Sequence, residues 1–582
     1  MSRHDGPSYS FRARKVLAGC LLMLGFAAVM FRLFHLQVIE AADLASKAQR
    51  QHQRTVTLEG NRGPIYDRNG KVLAWNLDVP SVFGVPTAID RPRAVARELV
   101  RVLGGRVETL EAKLRRDKHF VWIARKLDPE QGRRLARLSL DGIGTVMEGR
   151  RFYPKGTLLA HVLGFAGMDG NGLEGVEHRY DDYLRGEVRQ VDLQRDALGR
   201  TVFPKELTAR APSGGHAVVL TIDEVIQFVA EKELERAVLV SRAKGGIIIV
   251  MEPTTGAILA MGVYPTFDPN AFGSVEPQRW RNRALTDAYE PGSTLKILVA
   301  AAALEEKVKE PGTLLFGEHG EMEVANTVIH DHERSGWMTF AEAIQRSSNI
   351  GVVKTATALG DDRLYRYLRA FGFGERTEID LPAETPGLVK EPGEWGRRTL
   401  ASIAIGQEIG VTPLQLVNAM SAVANGGWLM RPYLVKEVRD VNGEVLVETK
   451  PEVRRRPVSA VTAYSLTEIL EGVVTRGTGG RAAVPGYRVA GKTGTAQKFD
   501  HATGSYSSTK FVASFAGYVP AQDPQLAMVV VVDEPQGEAW GGAVAAPVFR
   551  RVAERVLPYL GVPPQEPVAL TRASLATMVS AR

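Results

Sequence analysis

Three short segments hold the residues of this chain that could do covalent chemistry. In order they are Ser293-Thr294-Leu295-Lys296, Ser347-Ser348-Asn349 and Lys492-Thr493-Gly494. A serine hydroxyl is a poor nucleophile until a base takes its proton, and a lysine is that base only when its pKa is lowered. Burial in an apolar helix and a second nearby cation both lower it, and Lys492 is the candidate second cation. Ser293 and Lys296 stand at i and i+3 on one face of the helix that the run Ser293 to Leu304 forms. Glu290-Pro291-Gly292 ends a loop just before it, which puts Ser293 in the first turn near unpaired backbone N–H groups. Ser347 could shuttle the proton to a leaving amine, and Asn349 could hold a substrate amide and the lysine. Lys492 to Thr495 reads as a strand whose Gly494 permits close substrate approach. Lys492 with the Thr493 or Thr495 hydroxyl suits a substrate carboxylate. The backbone N–H of Thr495 with that of Ser293 would make an oxyanion hole, at about 3–4 kcal/mol per donor. The chemistry is attack on an amide and retention of an acyl group. Each segment alone is ordinary: Ser-x-x-Lys occurs about once by chance in a chain this long, and Ser-x-Asn is a common capping element. Their order and their local settings carry the argument.

Two other patterns compete. Gly486 to Thr493 matches a phosphate-loop string, and Val529 to Glu534 resembles its partner strand. A phosphate loop sits between a buried strand and a helix. Arg481 to Pro485 is not a buried strand, and Gly494-Thr495-Ala496-Gln497 starts a helix poorly, so the nucleotide-binding reading fails. His330-Asp331-His332-Glu333 offers alternate imidazoles, but with no third ligand cluster in view it reads as a polar loop before the Ser347 helix.

The elements that must position these segments follow from periodicity. Val16 to Phe31 is an uncharged apolar run, and Arg32 can snorkel to extend it to a membrane span. Arg3, Arg12, Arg14 and Lys15 precede it against only Asp5, which places the N-terminus in the cytosol and the rest across the membrane. A cleaved signal peptide competes, but the bulky Phe31-Arg32-Leu33-Phe34 that follows is unlike a cleavage site. The single cysteine, Cys20, lies in that run, so neither a disulfide nor a cysteine-based metal site can form. The net charge of +7 with no basic block interleaved with aromatics does not argue for nucleic acid. Residues 40–53 read as a polar helix, Arg54 to Glu59 as a strand, and Asn69-Gly70 as the turn of a hairpin returning through Lys71 to Trp75. Residues 90–145 are charged with helical periodicity. No catalytic set is visible in 40–215, which reads as a pedestal. A boundary falls near Ala211 to Gly215. Beyond it, strands at 217–222, 246–251, 257–261, 511–519 and 526–533 enclose a mostly helical middle, which predicts one sheet built from both ends of the domain. The divisions are therefore 1–15, a span at 16–39, a pedestal at 40–215, a catalytic domain at 216–562 and a loose tail at 563–582.

At this point the chain resembles a class B penicillin-binding protein over nearly its whole length. The matching strings include Arg62-Gly63-Pro64-Ile65-Tyr66-Asp67-Arg68-Asn69-Gly70, Phe267-Asp268-Pro269-Asn270, Tyr289 to Lys296, Val411-Thr412-Pro413-Leu414-Gln415-Leu416, Ala490 to Lys498 and Gly542 to Phe549. The start Tyr-Glu-Pro-Gly-Ser-Thr and the strand Lys-Thr-Gly-Thr-Ala-Gln-Lys look like the division type. One departure is Glu408, where the family usually has glycine. The resemblance implies an α/β (α+β) transpeptidase fold, a central antiparallel sheet flanked by helices, with an elongated pedestal and one transmembrane helix. It implies a serine-type D,D-transpeptidase in which Ser293 attacks the penultimate D-Ala of a peptidoglycan stem peptide and releases the terminal D-Ala. An amine of a neighbouring stem then resolves the acyl-enzyme, and β-lactams acylate the same serine. Lys296, Ser347 and Asn349 would be catalytic, and Lys492, Thr493, Gly494 and Thr495 would bind substrate. No metal or cofactor is implied. The expected setting is the inner membrane, single-pass, with the catalytic domain outside the cytoplasm, beside a glycosyltransferase and other divisome membrane proteins. A β-lactamase or D,D-carboxypeptidase would share the first half-reaction. A non-enzymatic divisome scaffold would not need all three segments.

Overall fold

The most apolar strands of the chain pair with one another and form the centre of the fold. In the computed structural model five antiparallel strands run in the order Ile258–Tyr264, Gly245–Met251, Leu526–Asp533, Ser505–Val519 and Ala490–Asp500. The sheet is thus made from both ends of its domain, as the pattern predicts. Period-two alternation sends successive side chains to opposite faces. Ile247, Ile249 and Met251 enter one core, and Ile248 and Val250 enter the other. The first core is closed by helices Lys296–Glu305, Asn349–Leu359, Pro413–Ala424 and Ala460–Thr475; the second by Glu224–Val240 and Ala546–Tyr559.

The structure describes residues 9–44, 53–116, 118, 120–195, 201–202, 214–500 and 504–566. These fall into two units, the described parts of Met1–Gly60 with Gly186–Ser213, and those of Asn61–Arg185 with Gly214–Arg582. In the first, helix Tyr9–Phe34 continues into a π-helical turn at His35–Ile39. Ala13–Ile39 is the one helical stretch among the described residues long and apolar enough to cross a membrane. Strand Gln53–Glu59 pairs antiparallel with Val188–Arg195. Residues 41–44 are helical; the rest of the expected polar helix up to residue 52, the first eight residues and the tail from 567 lie outside the described residues. At the start of that tail, the N–H groups of Gln565 and Glu566 donate to the Gly486 carbonyl, at 2.8 and 3.1 Å.

In the second unit the Asn69-Gly70 hairpin forms, with Tyr66 opposite Val72. Its sheet also takes in Ala217–Leu220 and Val435–Arg439, so it runs across the composition change near residue 215. The charged stretch at 90–145 contributes helices Pro92–Leu103, Val107–Leu114 and Pro129–Arg137, and also strands Val121–Ala124 and Ile143–Phe152 that periodicity did not reveal. Under the Gly-rich 151–181 segment lies a buried ion network. Arg62 Nε and Arg151 Nε each donate to the Glu177 carboxylate at 2.5 Å, and Arg62 Nη1 donates to Asp181 at 2.5 Å. The Tyr153 hydroxyl also donates to Glu177, at 3.2 Å. Two guanidinium groups share one fully buried carboxylate, so removing it strands Arg151 and leaves Arg62 with Asp181 alone. Glu177→Ala is therefore expected to lower folding stability by about 3–5 kcal/mol, read as the fall in the urea midpoint of the full chain.

Candidate active site

Pro291 and Gly292 break the chain just before the helix, as the sequence requires. A 3₁₀ turn at Gly292–Leu295 carries Ser293 and leads into helix Lys296–Glu305. Every side chain of that helix from Lys296 to Ala303 is buried. An all-apolar helix belongs in a core, and it takes its one lysine there with it.

Lys296 is fully buried, and its Nζ donates to the Ser347 carbonyl at 2.6 Å, to Asn349 Oδ1 at 2.7 Å and to Ser347 Oγ at 3.3 Å. Lys492, also fully buried, reaches the same hydroxyl from the sheet, with Nζ 2.9 Å from Ser347 Oγ and 3.2 Å from its neighbour's carbonyl at Thr493. Burial pushes the Lys296 ammonium down to about 7, against a smaller opposing pull from Asp331. Burial also drives Lys492 well down, and Lys296 adds repulsion. Ser293 is half-buried, and among the described residues no hydrogen bond joins its hydroxyl to Lys296. The direct link expected from i, i+3 spacing is absent because Lys296 Nζ is drawn to the Ser347–Asn349 corner.

Strand Ala490–Asp500 forms the opposite wall and is the edge of the five-stranded sheet. Lys492 and Thr493 are inside this strand rather than at a strand–helix turn, which disposes of the phosphate-loop geometry. A Cβ built on Gly494 would lie 2.8 Å from Thr294 Cγ2, 2.9 Å from the Pro291 carbonyl oxygen and 2.4 Å from Ser514 Oγ. A Cβ on Gly292 (φ +56°) would meet the Thr495 carbonyl oxygen at 2.9 Å. N–H and C=O of one strand residue point the same way, so the Thr495 N–H also faces the Ser293 turn. The threonine hydroxyls turn elsewhere: Thr493 Oγ1 is 2.7 Å from Thr478 Oγ1, and Thr495 Oγ1 accepts from the Gly541 N–H at 3.0 Å. All eight sequence-selected residues thus lie on two facing walls.

Several contributors were missed. Ser347 adopts a left-handed backbone (φ 63°), which aims its carbonyl at Lys296. Such conformations cost about 1–3 kcal/mol and concentrate at functional sites; nothing in a Ser-Ser-Asn string signals it. Asp331, directly after strand Thr327–His330, holds the backbone of Asn349, and the His332 ring lies tilted against Trp540 with centroids 4.7 Å apart. Among the described residues no group of three or more His, Cys, Asp or Glu is arranged to hold a metal ion. Behind the Ser293 turn, Glu408 also has a left-handed backbone (φ 57°), a conformation that favours glycine. Its N–H donates to Glu290 Oε1 at 2.8 Å, and its carboxylate accepts from Thr399 Oγ1 at 3.0 Å, contacts that offset the strain. Tyr506 also donates to Glu290 Oε1, at 2.8 Å, and burial pushes the Glu290 carboxyl up.

Residues 246–554 match the penicillin binding protein transpeptidase domain, and residues 57–220 match the penicillin-binding protein dimerisation domain. The chain is 37% identical to stage V sporulation protein D of Bacillus subtilis, covering 94% of this chain and 86% of that one. It is 33% identical to the peptidoglycan D,D-transpeptidase FtsI of Escherichia coli, covering 96% of this chain and 92% of that one. A solved relative is penicillin-binding protein 3 of Mycobacterium tuberculosis in complex with aztreonam, with TM-score 0.69 and 29% identity over 89% of this chain and all of that one.

The close approach at Gly494 makes a structural prediction. Gly494→Ala must push the strand from the Ser293 turn, and overpacking of this kind costs about 1–3 kcal/mol. The urea midpoint of the variant measures it; an unchanged midpoint would mean that strand and turn part freely.

Proposed function

The chain belongs to the penicillin-binding proteins as a class B peptidoglycan D,D-transpeptidase, and we propose that it works through a Ser293 acyl-enzyme in septal wall synthesis. The observation that carries the site assignment is the convergence of two buried lysines on one hydroxyl, Ser347 Oγ, beside the Ser293 turn.

A lysine lowered to about 7 is substantially a neutral amine at neutral pH. Its two N–H bonds then suit the two strongest acceptors, the Ser347 carbonyl and Asn349 Oδ1, and its lone pair is left for a proton from Ser293. Ser293 Oγ, so activated, attacks the carbonyl carbon of the penultimate D-Ala. The developing oxyanion is met by the N–H groups of Ser293 and Thr495. Collapse breaks the amide, and the proton passes from Lys296 through Ser347 to the departing D-Ala nitrogen. The free edge of the Ala490–Asp500 strand suits an extended peptide laid along it, with Lys492 near the terminal carboxylate and the Thr493 and Thr495 hydroxyls joining it by turning from Thr478 and Gly541. The amine of a second stem then attacks the ester and frees Ser293. Asn349 holds the donor amide. A β-lactam acylates the same serine; the aztreonam complex of the tuberculosis protein supports this.

The proposed anchor is Ala13–Ile39, with the catalytic domain outside the cytoplasmic membrane, 40–215 as pedestal and 216–562 as the catalytic domain. Similarity to FtsI supports the septal role, where a glycosyltransferase and other divisome proteins would be its partners.

Fluorescent penicillin tests the nucleophile. Ser293→Ala is expected to lose all covalent labelling and Lys296→Ala nearly all of it, both still folded at the labelling temperature; labelling of Ser293→Ala at another serine would overturn the assignment. The acylation rate should also depend on pH. Protonation removes the Lys296 lone pair, so the rate falls as pH drops through about 7 and levels off above it. Stopped-flow acylation between pH 5 and 9 checks the limb, and a flat profile would exclude Lys296 as the base.

A further inference from the structure

We propose that Asp331 is a positioning residue of the acyl-transfer site, fixing the Ser347–Asn349 corner and through it the Lys296 amine. The inference rests on the assignment of Ser293 and Lys296 above. Asp331 belongs to none of the three chemical segments and looked like part of a polar loop.

Its placement is over-determined. Asp331 follows directly on the strand Thr327–His330, which pairs with Glu321–Val324, and its own N–H donates to the Gly320 carbonyl at 2.9 Å. Oδ1 accepts from the backbone N–H of Asn349 at 2.5 Å and of Ile350 at 3.0 Å, two donors at the start of helix Asn349–Leu359. Oδ2 accepts from the Ser348 hydroxyl at 2.6 Å, and that hydroxyl accepts from the Gly351 N–H at 2.9 Å. One carboxylate therefore holds the Ser348 side chain and the Asn349 and Ile350 backbone together.

The adjoining residue completes the alignment. Asn349 Nδ2 donates to the His330 carbonyl at 2.8 Å. An amide whose nitrogen is committed there must turn its oxygen the other way, and Asn349 Oδ1 is the atom 2.7 Å from Lys296 Nζ. Held at Ser348 and Asn349, the chain also keeps Ser347 left-handed with its carbonyl on the same amine. Capping alone does not require this arrangement, since Ser348 already caps the helix.

Asp331 acts on the base in a second way. The charged groups bearing on Lys296 are Lys492 from the sheet and Asp331 from the hairpin, and only Asp331 favours the ammonium form. Removing its charge is expected to lower the Lys296 pKa further and move the limb of the acylation profile to lower pH. Losing its hydrogen bonds should lower the plateau, because misplacing a catalytic group by about 1 Å costs roughly 10²-fold.

The test compares acylation of the full-length protein by a chromogenic cephalosporin across pH for wild type, Asp331→Asn, Asp331→Glu, Ser348→Ala and Ser293→Ala. Asp331→Asn should show a lower plateau, a limb shifted to acid and unchanged final stoichiometry. Asp331→Glu, which keeps the charge but misplaces it, should restore the limb and not the plateau. Ser348→Ala frees Oδ2, removes the Gly351 cap with it, and should lower the plateau with the limb in place; if Asp331→Asn melts below the assay temperature, Asp331→Glu, which leaves that cap intact, decides the matter. Wild-type plateaus and limbs in all the folded Asp331 and Ser348 variants, with Ser293→Ala inert, would overturn this proposal alone. Labelling of Ser293→Ala would instead overturn the site assignment on which it rests.

Discussion

The interaction on which the rest depends is the meeting of two buried lysines at one serine hydroxyl. Taking an ammonium out of water costs several kcal/mol after relaxation. Two of them in one pocket cost more, because each raises the energy of the other's charged form. The fold accepts this by placing Lys296 on a helix buried along its whole first two turns and Lys492 on a strand buried from Ala490 to Gly494. Both side chains are fully buried. Desolvation is thus a property of the architecture, and it is the desolvation that turns an ordinary lysine into a base.

Sheet topology explains why the two lysines meet. The strand carrying Lys492 is an edge strand, reached only after the chain has built the helical layer and come back to complete the sheet. The Ser293 turn begins that helical layer. Contact between them is permitted by Gly494 and Gly292, each facing the other element at a distance no Cβ tolerates. Gly406 extends the same close packing: its N–H-to-carbonyl surroundings include the Gly292 N–H, which donates to the Gly406 carbonyl at 3.1 Å. The site is a seam between two walls, kept narrow by residues without side chains.

Much of this was legible in the residues, and the limits have physical causes. Ser293 on a helix start, Lys492 in a strand and a sheet closed from both ends follow from periodicity, glycine and proline, all local signals. Asp331 did not stand out, because its value lies in three hydrogen bonds to residues 17–19 positions away. The left-handed Ser347 was equally invisible, since serine has no special preference for that conformation and only surrounding bonds impose it. The Arg62, Arg151 and Glu177 network escaped for the same reason: its members are scattered over more than a hundred positions and look like surface charges until the fold buries them. The departure at Glu408 was readable as a substitution, but the backbone that makes it costly, and the Glu290 and Thr399 contacts that compensate, required coordinates.

Proton counting at Ser347 Oγ ties these parts together. A hydroxyl offers one proton and accepts at two lone pairs. Were both lysines ammonium ions, both would donate to Ser347 Oγ, filling its lone pairs and leaving its proton with no acceptor among these two amines. With Lys296 neutral, its N–H bonds go to the Ser347 carbonyl and Asn349 Oδ1, the two shortest contacts it makes. The longer third contact, at 3.3 Å to Ser347 Oγ, then need not be a donation by lysine at all. Ser347 Oγ accepts instead from Lys492 at 2.9 Å, which leaves the Lys296 lone pair for Ser293 and the Ser347 proton free for the substrate side. The same atoms serve the reverse sense once Lys296 has taken a proton: the amine donates, and Ser347 releases its own proton outward. A relay needs a hydroxyl able to pass a proton on without moving its oxygen, and this one is held between two nitrogens on a left-handed backbone.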